Sequence, residues 1–436
     1  MAQPLRQYEA LIARGIEHAG QNRFDEAILC FGQALALKPG NLAARVNQAN
    51  VLALAGRWDE AEKQFRAVLA RTRDDAAFNG LGNCLKQRGA LAEAHTAYRR
   101  ALAANRNNAD AWNNIGEVEK HLGNWRDALA AYDRAIAIAP KHRDARYGRA
   151  LLRLSLGQWA GGFEDYRARP AIQDATGLTR EPLPADLSGK RVHVRWDQGL
   201  GDELFFLRFL PRLRARRAFV SYAPDPRLAA MLARAGIADH IGAPPAVPDY
   251  RTTVGDLPHL LGMGDGDPPP PSIRLSVLAD RIPELPHPCL GVSWRAGTPD
   301  ARGALFKAVD RDALARALAS YPGTVIAVQR KPQPGEVDAF AAALGRPVLD
   351  LTAANDDIES ILALVGALDE YVCVSNTNVH LRAALGRTAR VLVPHPPEFR
   401  WMAAGTSPWF PGTAVYRQGV DGDWATALRA LSQDFN

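Results

Sequence analysis

The stretch "VRWDQGLGDELFFLRFL", Val194 to Leu210, holds a short apolar run, a turn with two glycines and an acid, and then apolar residues at helical spacing. That is the pattern of a strand feeding a helix, and it sets the fold class of the chain around it. Gly199 and Gly201 permit a tight turn, and they equally permit a ligand to approach the backbone. Asp202 falls in the first helical turn, where a carboxylate opposes the helix dipole; at a cleft edge the same group serves as a general base. These residues alone leave both readings open. The stretch is not the dinucleotide fingerprint, because Leu204 stands where its third glycine would be, and no GxxxxGK[ST] sequence occurs in the chain.

The strand–helix alternation extends on both sides of this stretch. Strands are expected at 191–196, 218–223 and 252–256, then at 289–294, 324–329, 347–351, 370–375 and 389–394, with helical patterns between them. "GMGDGDPPPPS" (262–272) separates the two groups, since four consecutive prolines cannot form a core element. Apolar strands alternating with helices mean a parallel sheet covered on both faces. The expected architecture is two Rossmann-like lobes, 183–275 and 285–436, facing a cleft. The Asp-Gly-Asp runs at 265–267 and 421–423 read as turns.

Upstream the period changes. Ala27, Ala61, Ala94 and Ala128, with Gly162 next in line, step by 34, 33, 34 and 34 residues, and Phe31, Phe65, Tyr98, Tyr132 and Tyr166 follow each by four. "NRFDEAILCFGQALALKP" and "GNWRDALAAYDRAIAIAP" recur in register. This resembles the tetratricopeptide (TPR) repeat, a helix–turn–helix unit of that period. A small alanine lets two helices approach, an aromatic fills the gap, and Pro39 and Pro140 stop the second helix. Four good repeats and a fifth that departs at Gly162 place a TPR domain over residues 1–170. Such an array implies a protein partner. Asn47, Asn50, Asn83 and Asn114 fall on first helices, where an asparagine can bond both N–H and C=O of an extended peptide. They equally suit a helix surface or an inter-helix bond.

The bulk numbers agree with several soluble domains: 436 residues, 47% hydrophobic and 23% charged. No apolar run approaches the roughly 18–20 residues of a membrane span. The first residues lack the basic-then-apolar pattern of a signal peptide, and Cys30, Cys84, Cys289 and Cys373 form no CxxC pair. The expectation is a cytoplasmic protein with reduced, mostly buried thiols. The net charge of +6 suits anionic small ligands or acidic partners and is too diffuse to argue for nucleic acid.

Ligands of open α/β sheets sit beyond the carboxyl ends of the strands, so the residues after each strand are the informative ones. Beyond the first strand lie Gln198, Gly199, Gly201 and Asp202. Beyond "CLGVSW" lie Arg295, Ala296, Gly297 and Thr298, then Lys307 at an expected helix start. Beyond "TVIAVQ" lie Arg330 and Lys331, and beyond "EYVCVS" lie Asn376, Thr377 and His380, opening a helix. A helix start with small polar side chains suits a phosphate; Asn or Ser there is also the ordinary N-cap. With Lys307 and Arg295 at the same cleft edge, phosphate is the stronger reading. Trp196, Trp294 and Trp401 could stack on a base, and core packing is the better expectation.

"DQGLGDELFFLRFLPRLRARRA", "GVSWRAG", "DEYVCVSNTNVHLRAALGRTARVLVP" and "FRWMAAGTSPWFPGTAVYRQ" resemble the C-terminal region of bacterial TPR-fused glycosyltransferase-like proteins, related to heptosyltransferases and O-GlcNAc transferases. The resemblance implies a GT-B fold after the TPR solenoid and a metal-independent transferase with no cofactor, its substrate a nucleotide-activated sugar. It implies that Gln198, Gly199 and Gly201 form the acceptor-side loop and that Asp202 is the base. It implies that Lys307 contacts donor phosphates, that Asn376, Thr377 and His380 receive the diphosphate or sugar, and that Gln329 and Arg330 lie near the nucleotide base; Arg295 and Ser375, at the same strand ends, are further donor-binding candidates. Where many relatives carry Asp-Thr, this chain has Ser375-Asn376. The asparagines resemble the ladder of TPR-linked O-GlcNAc transferases. Similar proteins are associated with flagellin glycosylation, so flagellin is an expected acceptor and a nonulosonic acid an expected donor sugar. A TPR adaptor with degenerate lobes, or a transferase of envelope polysaccharide, are the alternatives.

Overall fold

The computed structural model describes residues 2–172, 176–297 and 307–435. It divides into two compact units, Met1–Arg149 and Ala150–Asn436. Thr298 and the residues up to Phe306, named above beside Arg295 and Lys307, lie outside the described residues.

The first unit is helical, part of a series of ten helices that runs from Ala2–Gly20 to Trp159–Tyr166. Three first helices of the repeats open on a side-chain cap: Asn41 accepts from the Ala44 N–H at 2.9 Å, Asp74 from Ala77 at 2.7 Å and Asn108 from Ala111 at 2.8 Å. The second helices Phe24–Leu37 and Trp125–Ile138 stop just before Pro39 and Pro140, as the spacing requires. Ala27, Ala61, Ala94 and Ala128 are wholly buried, and so, to within 1%, are Phe31, Phe65, Tyr98 and Tyr132. The rings lie so close to the neighbouring helix that some positions tolerate no side chain. A Cβ on Gly116 would stand 2.7 Å from the Tyr132 ring.

The second unit contains the strands β1 (Arg191–Arg195), β2 (Phe219–Ala223), β3 (His240–Ile241), β4 (Tyr250–Thr253), β5 (Cys289–Ser293), β6 (Arg295–Ala296), β7 (Lys307–Ala308), β8 (Thr324–Ala327), β9 (Leu349–Asp350), β10 (Glu370–Val374), β11 (Arg390–Val393) and β12 (Ala414–Arg417). Two sheets result, ordered β3-β2-β1-β4 and β12-β11-β10-β5-β8-β9, with β6 and β7 a separate pair. Both sheets are parallel throughout; β6 and β7 pair antiparallel. Every residue of β5 is buried, as expected for a parallel strand covered on both faces. Val292, Val372, Val374 and Leu392 pack with Leu314, Phe340 and Leu431 from the covering helices.

The expected strand at 252–256 is displaced: β4 ends at Thr253, and Val254–Asp256 forms a 3-10 turn in which Asp256 faces Arg169. β9 keeps only two residues of the expected 347–351. β3 and β12 were not anticipated, since neither has an uninterrupted apolar run. Lys307 does not start a helix. It lies in β7, and the helix Arg311–Ala317 begins later, because Asp310 supplies the cap by accepting from the Ala313 N–H at 2.6 Å. Both Asp-Gly-Asp runs are turns.

The topology marks one place in each sheet. Chain order leaves β1 toward β2 on one side and resumes at β4 on the other; it leaves β5 toward β8 and resumes at β10. In open α/β sheets such reversals are where ligands commonly bind, beyond the carboxyl ends of the strands.

Candidate functional site

At the carboxyl end of β1, residues 196–199 turn into the helix Leu200–Phe206, with Gly199 at its N-cap in extended backbone. At the carboxyl end of β10, Ser375 and Asn376 lead into the helix Thr377–Ala384. Asn376 acts as an ordinary cap: its Oδ1 accepts from the Val379 N–H and its Nδ2 donates to the Tyr371 hydroxyl, both at 3.1 Å. The two helix starts meet. A Cβ on Gly201 would stand 3.3 Å from His380 Cδ2 and 3.7 Å from Thr377 Cα. Glycine at 201 therefore serves the close approach of two helix starts. Gln198 is held from behind, accepting from the Tyr166 hydroxyl at 2.9 Å.

Across this junction runs a chain of four alternating charges. Asp202 is bonded by Arg400; Arg400 reaches Glu398 at 3.4 Å; Glu398 forms an ion pair with Lys307 at 2.6 Å; and Lys307 donates to the Ser375 carbonyl at 3.3 Å. Burial opposes the charge on Arg400, but Asp202 and Glu398 outweigh it and hold its pKa raised. Burial likewise opposes the Glu398 carboxylate, and Lys307 and Arg400 outweigh it, aided by a hydrogen bond from Ser375. His380 lies under this chain with its pKa well below the ordinary value, first because it is buried and then because Arg400, Arg208 and Lys307 surround it. It is a neutral imidazole, packed edge-on to Phe205 and Phe410. Among the described residues, His380 Nδ1, Arg400 Nε and Gln198 Nε2 are buried polar atoms without a hydrogen-bond partner.

The remaining residues expected at the donor side form a second group. Gln329 is buried, with its amide fully committed: Oε1 accepts from the N–H groups of Trp294 and Arg295, and Nε2 donates to the carbonyls of Arg295 and Arg330. It fixes the ends of β5 and β8. Arg295 grips Glu336 through Nε at 3.1 Å and Nη2 at 2.8 Å, and Glu336 takes the Trp294 indole N–H at 2.6 Å. Arg330 is exposed. Trp294 and Trp401 are core residues, stacked on Phe340 and Phe410, whereas Trp196 is 39% exposed.

In the repeats, Asn114 donates to Asn79 on the preceding first helix at 2.9 Å, and Asn83 accepts from the Tyr98 hydroxyl at 2.8 Å. These two asparagines make inter-helix bonds. Asn47 is half-buried and Asn50 exposed.

Sequence reasoning missed Arg400, Glu398 and Asn79. The first two follow β11, and the strand-end rule extended to that strand would have reached them. Asn79 lies four residues before Asn83 on the same helix face.

Models described as "Tetratricopeptide repeat" match residues 18–83 and 109–142, and a "TPR repeat" model matches residues 82–123. Protein FlbA of Caulobacter vibrioides is 28% identical over 320 residues, a match covering 62% of this chain and 52% of that protein. The chain thus spans about half the length of this relative, and the match is longer than the ten helices, so it reaches into the sheet-bearing region. Among solved structures, a thermophilic TPR protein of Thermus thermophilus is 22% identical with a TM-score of 0.34, covering 36% of this chain and 88% of that one. MamA is 22% identical with a TM-score of 0.30, covering 35% and 91%. No helix of the described residues is long and apolar enough to cross a membrane. The N-terminal region is a TPR solenoid, an architecture that generally mediates protein–protein interaction, and a region of parallel sheets follows it.

Proposed function

We propose that the chain is a glycosyltransferase of GT-B type, which moves a sugar from a nucleotide-activated donor to a hydroxyl of a protein held by the TPR solenoid. The observation that carries the reading is the charge chain Asp202–Arg400–Glu398–Lys307, which joins Asp202 beyond β1, Glu398 and Arg400 beyond β11 and Lys307 of β7, and reaches the end of β10 through the Ser375 carbonyl. Buried polar groups are almost always bonded, and the unpartnered Arg400 Nε, with His380 Nδ1 and Gln198 Nε2 beside the chain, suit a polar ligand. In this reading the donor phosphates take Arg400 and Lys307, which releases Asp202. The acceptor oxygen then attacks the anomeric carbon, its proton passes to Asp202, and the electron pair of the broken carbon–oxygen bond leaves on the phosphate, stabilised by the two cations and the helix start at Thr377. His380, held neutral, offers a hydrogen bond without adding charge. The resemblance noted above makes flagellin the acceptor to try first.

A second reading, a TPR adaptor whose lobes only scaffold, draws on the same charges. Lys307, Arg400 and Arg295 each already face an acid, so their charge is balanced within the protein. Purified chain incubated with nucleotide sugars and flagellin separates the two. Transfer predicts nucleotide release and a sugar-sized mass increment on flagellin, both lost in Asp202→Asn. The adaptor predicts flagellin binding with neither.

A further inference from the structure

Away from this charge chain, three side chains of metal-ligand type meet at the opposite end of the second sheet. His287 leads into β5, Cys289 is its first residue, and Asp369 immediately precedes β10, its neighbour in register. Asp369 Oδ2 lies 2.7 Å from His287 Nδ1 and accepts from the Cys289 N–H at 2.8 Å, and the Cys289 Sγ is 3.7 Å from His287 Nδ1. One donor atom from each of the three falls within 4.8 Å of the others. The imidazole and carboxylate are about half exposed, while the cysteine is buried beneath them.

We propose that His287, Cys289 and Asp369 bind a single divalent transition-metal ion of the zinc type. Zinc bonds of about 2.0–2.3 Å in tetrahedral array separate donors by roughly 3.3–3.8 Å. The sulfur–imidazole pair already stands at that spacing. The imidazole–carboxylate pair, at 2.7 Å, has to open by roughly 0.6–1.1 Å to reach that spacing, and both groups are exposed enough to do so. The Cys289 N–H holds the carboxylate in place from behind, the orienting role a second-shell donor plays at a metal. One thiolate, one imidazole and one carboxylate select zinc or cobalt over magnesium or calcium, and leave a fourth position for water. An ion there ties the start of β5 to the start of β10. It lies at the amino ends of strands whose carboxyl ends carry the candidate site, so its role is to brace the sheet and is independent of transfer chemistry.

The test is titration of the full chain with cobalt(II) in the absence of chelator. One equivalent is expected to raise a thiolate-to-cobalt charge-transfer band, displaced by zinc and unaffected by excess magnesium. Cys289→Ser is expected to abolish the band, with its circular dichroism unchanged as a check of folding. His287→Ala, at an exposed side chain, is expected to weaken cobalt at least tenfold. Zinc is expected to raise the melting temperature of the wild type and not that of His287→Ala. No band at excess cobalt, a band that persists in Cys289→Ser, or equal affinity in His287→Ala overturns the proposal.

Discussion

Lys307 and Glu398 form an ion pair at 2.6 Å whose acid is shared with Arg400, and both partners are mostly withdrawn from solvent. Removing Lys307 leaves Glu398 only the 3.4 Å contact to Arg400, a cation that Asp202 also claims. Lys307→Met is expected to destabilise the protein by about 3 kcal/mol, the low end for removing one partner of a buried ion pair. Lys307→Met with Glu398→Gln should recover most of that loss, because no uncompensated charge remains. Urea unfolding of the wild type, both single variants and the double variant measures the coupling; purely additive effects would contradict the pairing.

Glu203, next to Asp202, is wholly buried and accepts from the Tyr222 hydroxyl at 2.6 Å and the Asp225 N–H at 3.1 Å. Burial pushes its carboxyl from 4.5 up to about 7, although the two hydrogen bonds pull the other way. Below the ordinary value the group is protonated whether folded or not. Between pH 4.5 and about 7 the unfolded chain ionises and the folded one does not, so its contribution to stability declines as pH rises. The full decline is about 3 kcal/mol. The difference in unfolding free energy between the wild type and Glu203→Gln, followed from pH 4 to 8, should change by that order across the window. A constant difference would mean the carboxyl is not perturbed.

Gly201 faces His380 at the junction of the two helix starts. Alanine needs His380 to yield by only a few tenths of an ångström, and a helical site repays part of that strain. Gly201→Ala is therefore expected within about 1 kcal/mol of the wild type. Gly201→Val is expected to cost about 1–3 kcal/mol by overpacking. Equal thermal stability of the two variants would show that the helices do not meet there.

In the repeats, a Cβ at Gly116 would enter the Tyr132 ring. The ring is fully enclosed, so Gly116→Ala should lower stability by about 1–3 kcal/mol despite alanine's better helix propensity. Thermal unfolding of a fragment is not required; circular dichroism of the intact chain at the helical band reports it. A stabilised variant would contradict the packing.

The repeats were legible because a period fixes everything at once. Ala27, Ala61, Ala94 and Ala128 could be counted, and each proved buried. The parallel sheets were legible from apolar runs bounded by turn residues. β3 and β12 were not, because a short edge strand needs few apolar residues and takes its pairing from a neighbour. The site was half legible. The strand-end rule reached Asp202, Lys307, Ser375 and His380, which the fold gathers. It could not reveal that Gln329 spends its amide on backbone, or that Asn114 bonds Asn79, since those bonds depend on tertiary placement. Arg400 and Glu398 escaped because β11 runs into an irregular loop and not into a helix whose start would draw attention.

The measurement that bears most directly on the central claim is calorimetric titration of the intact chain with UDP, GDP, ADP, dTDP and CMP, alongside Lys307→Ala and Arg400→Lys. The transferase account predicts saturable one-to-one binding of one nucleotide, weakened at least tenfold in Lys307→Ala, with Arg400→Lys intermediate. Absence of binding by every nucleotide in the folded wild type, or binding indifferent to both substitutions, would contradict it.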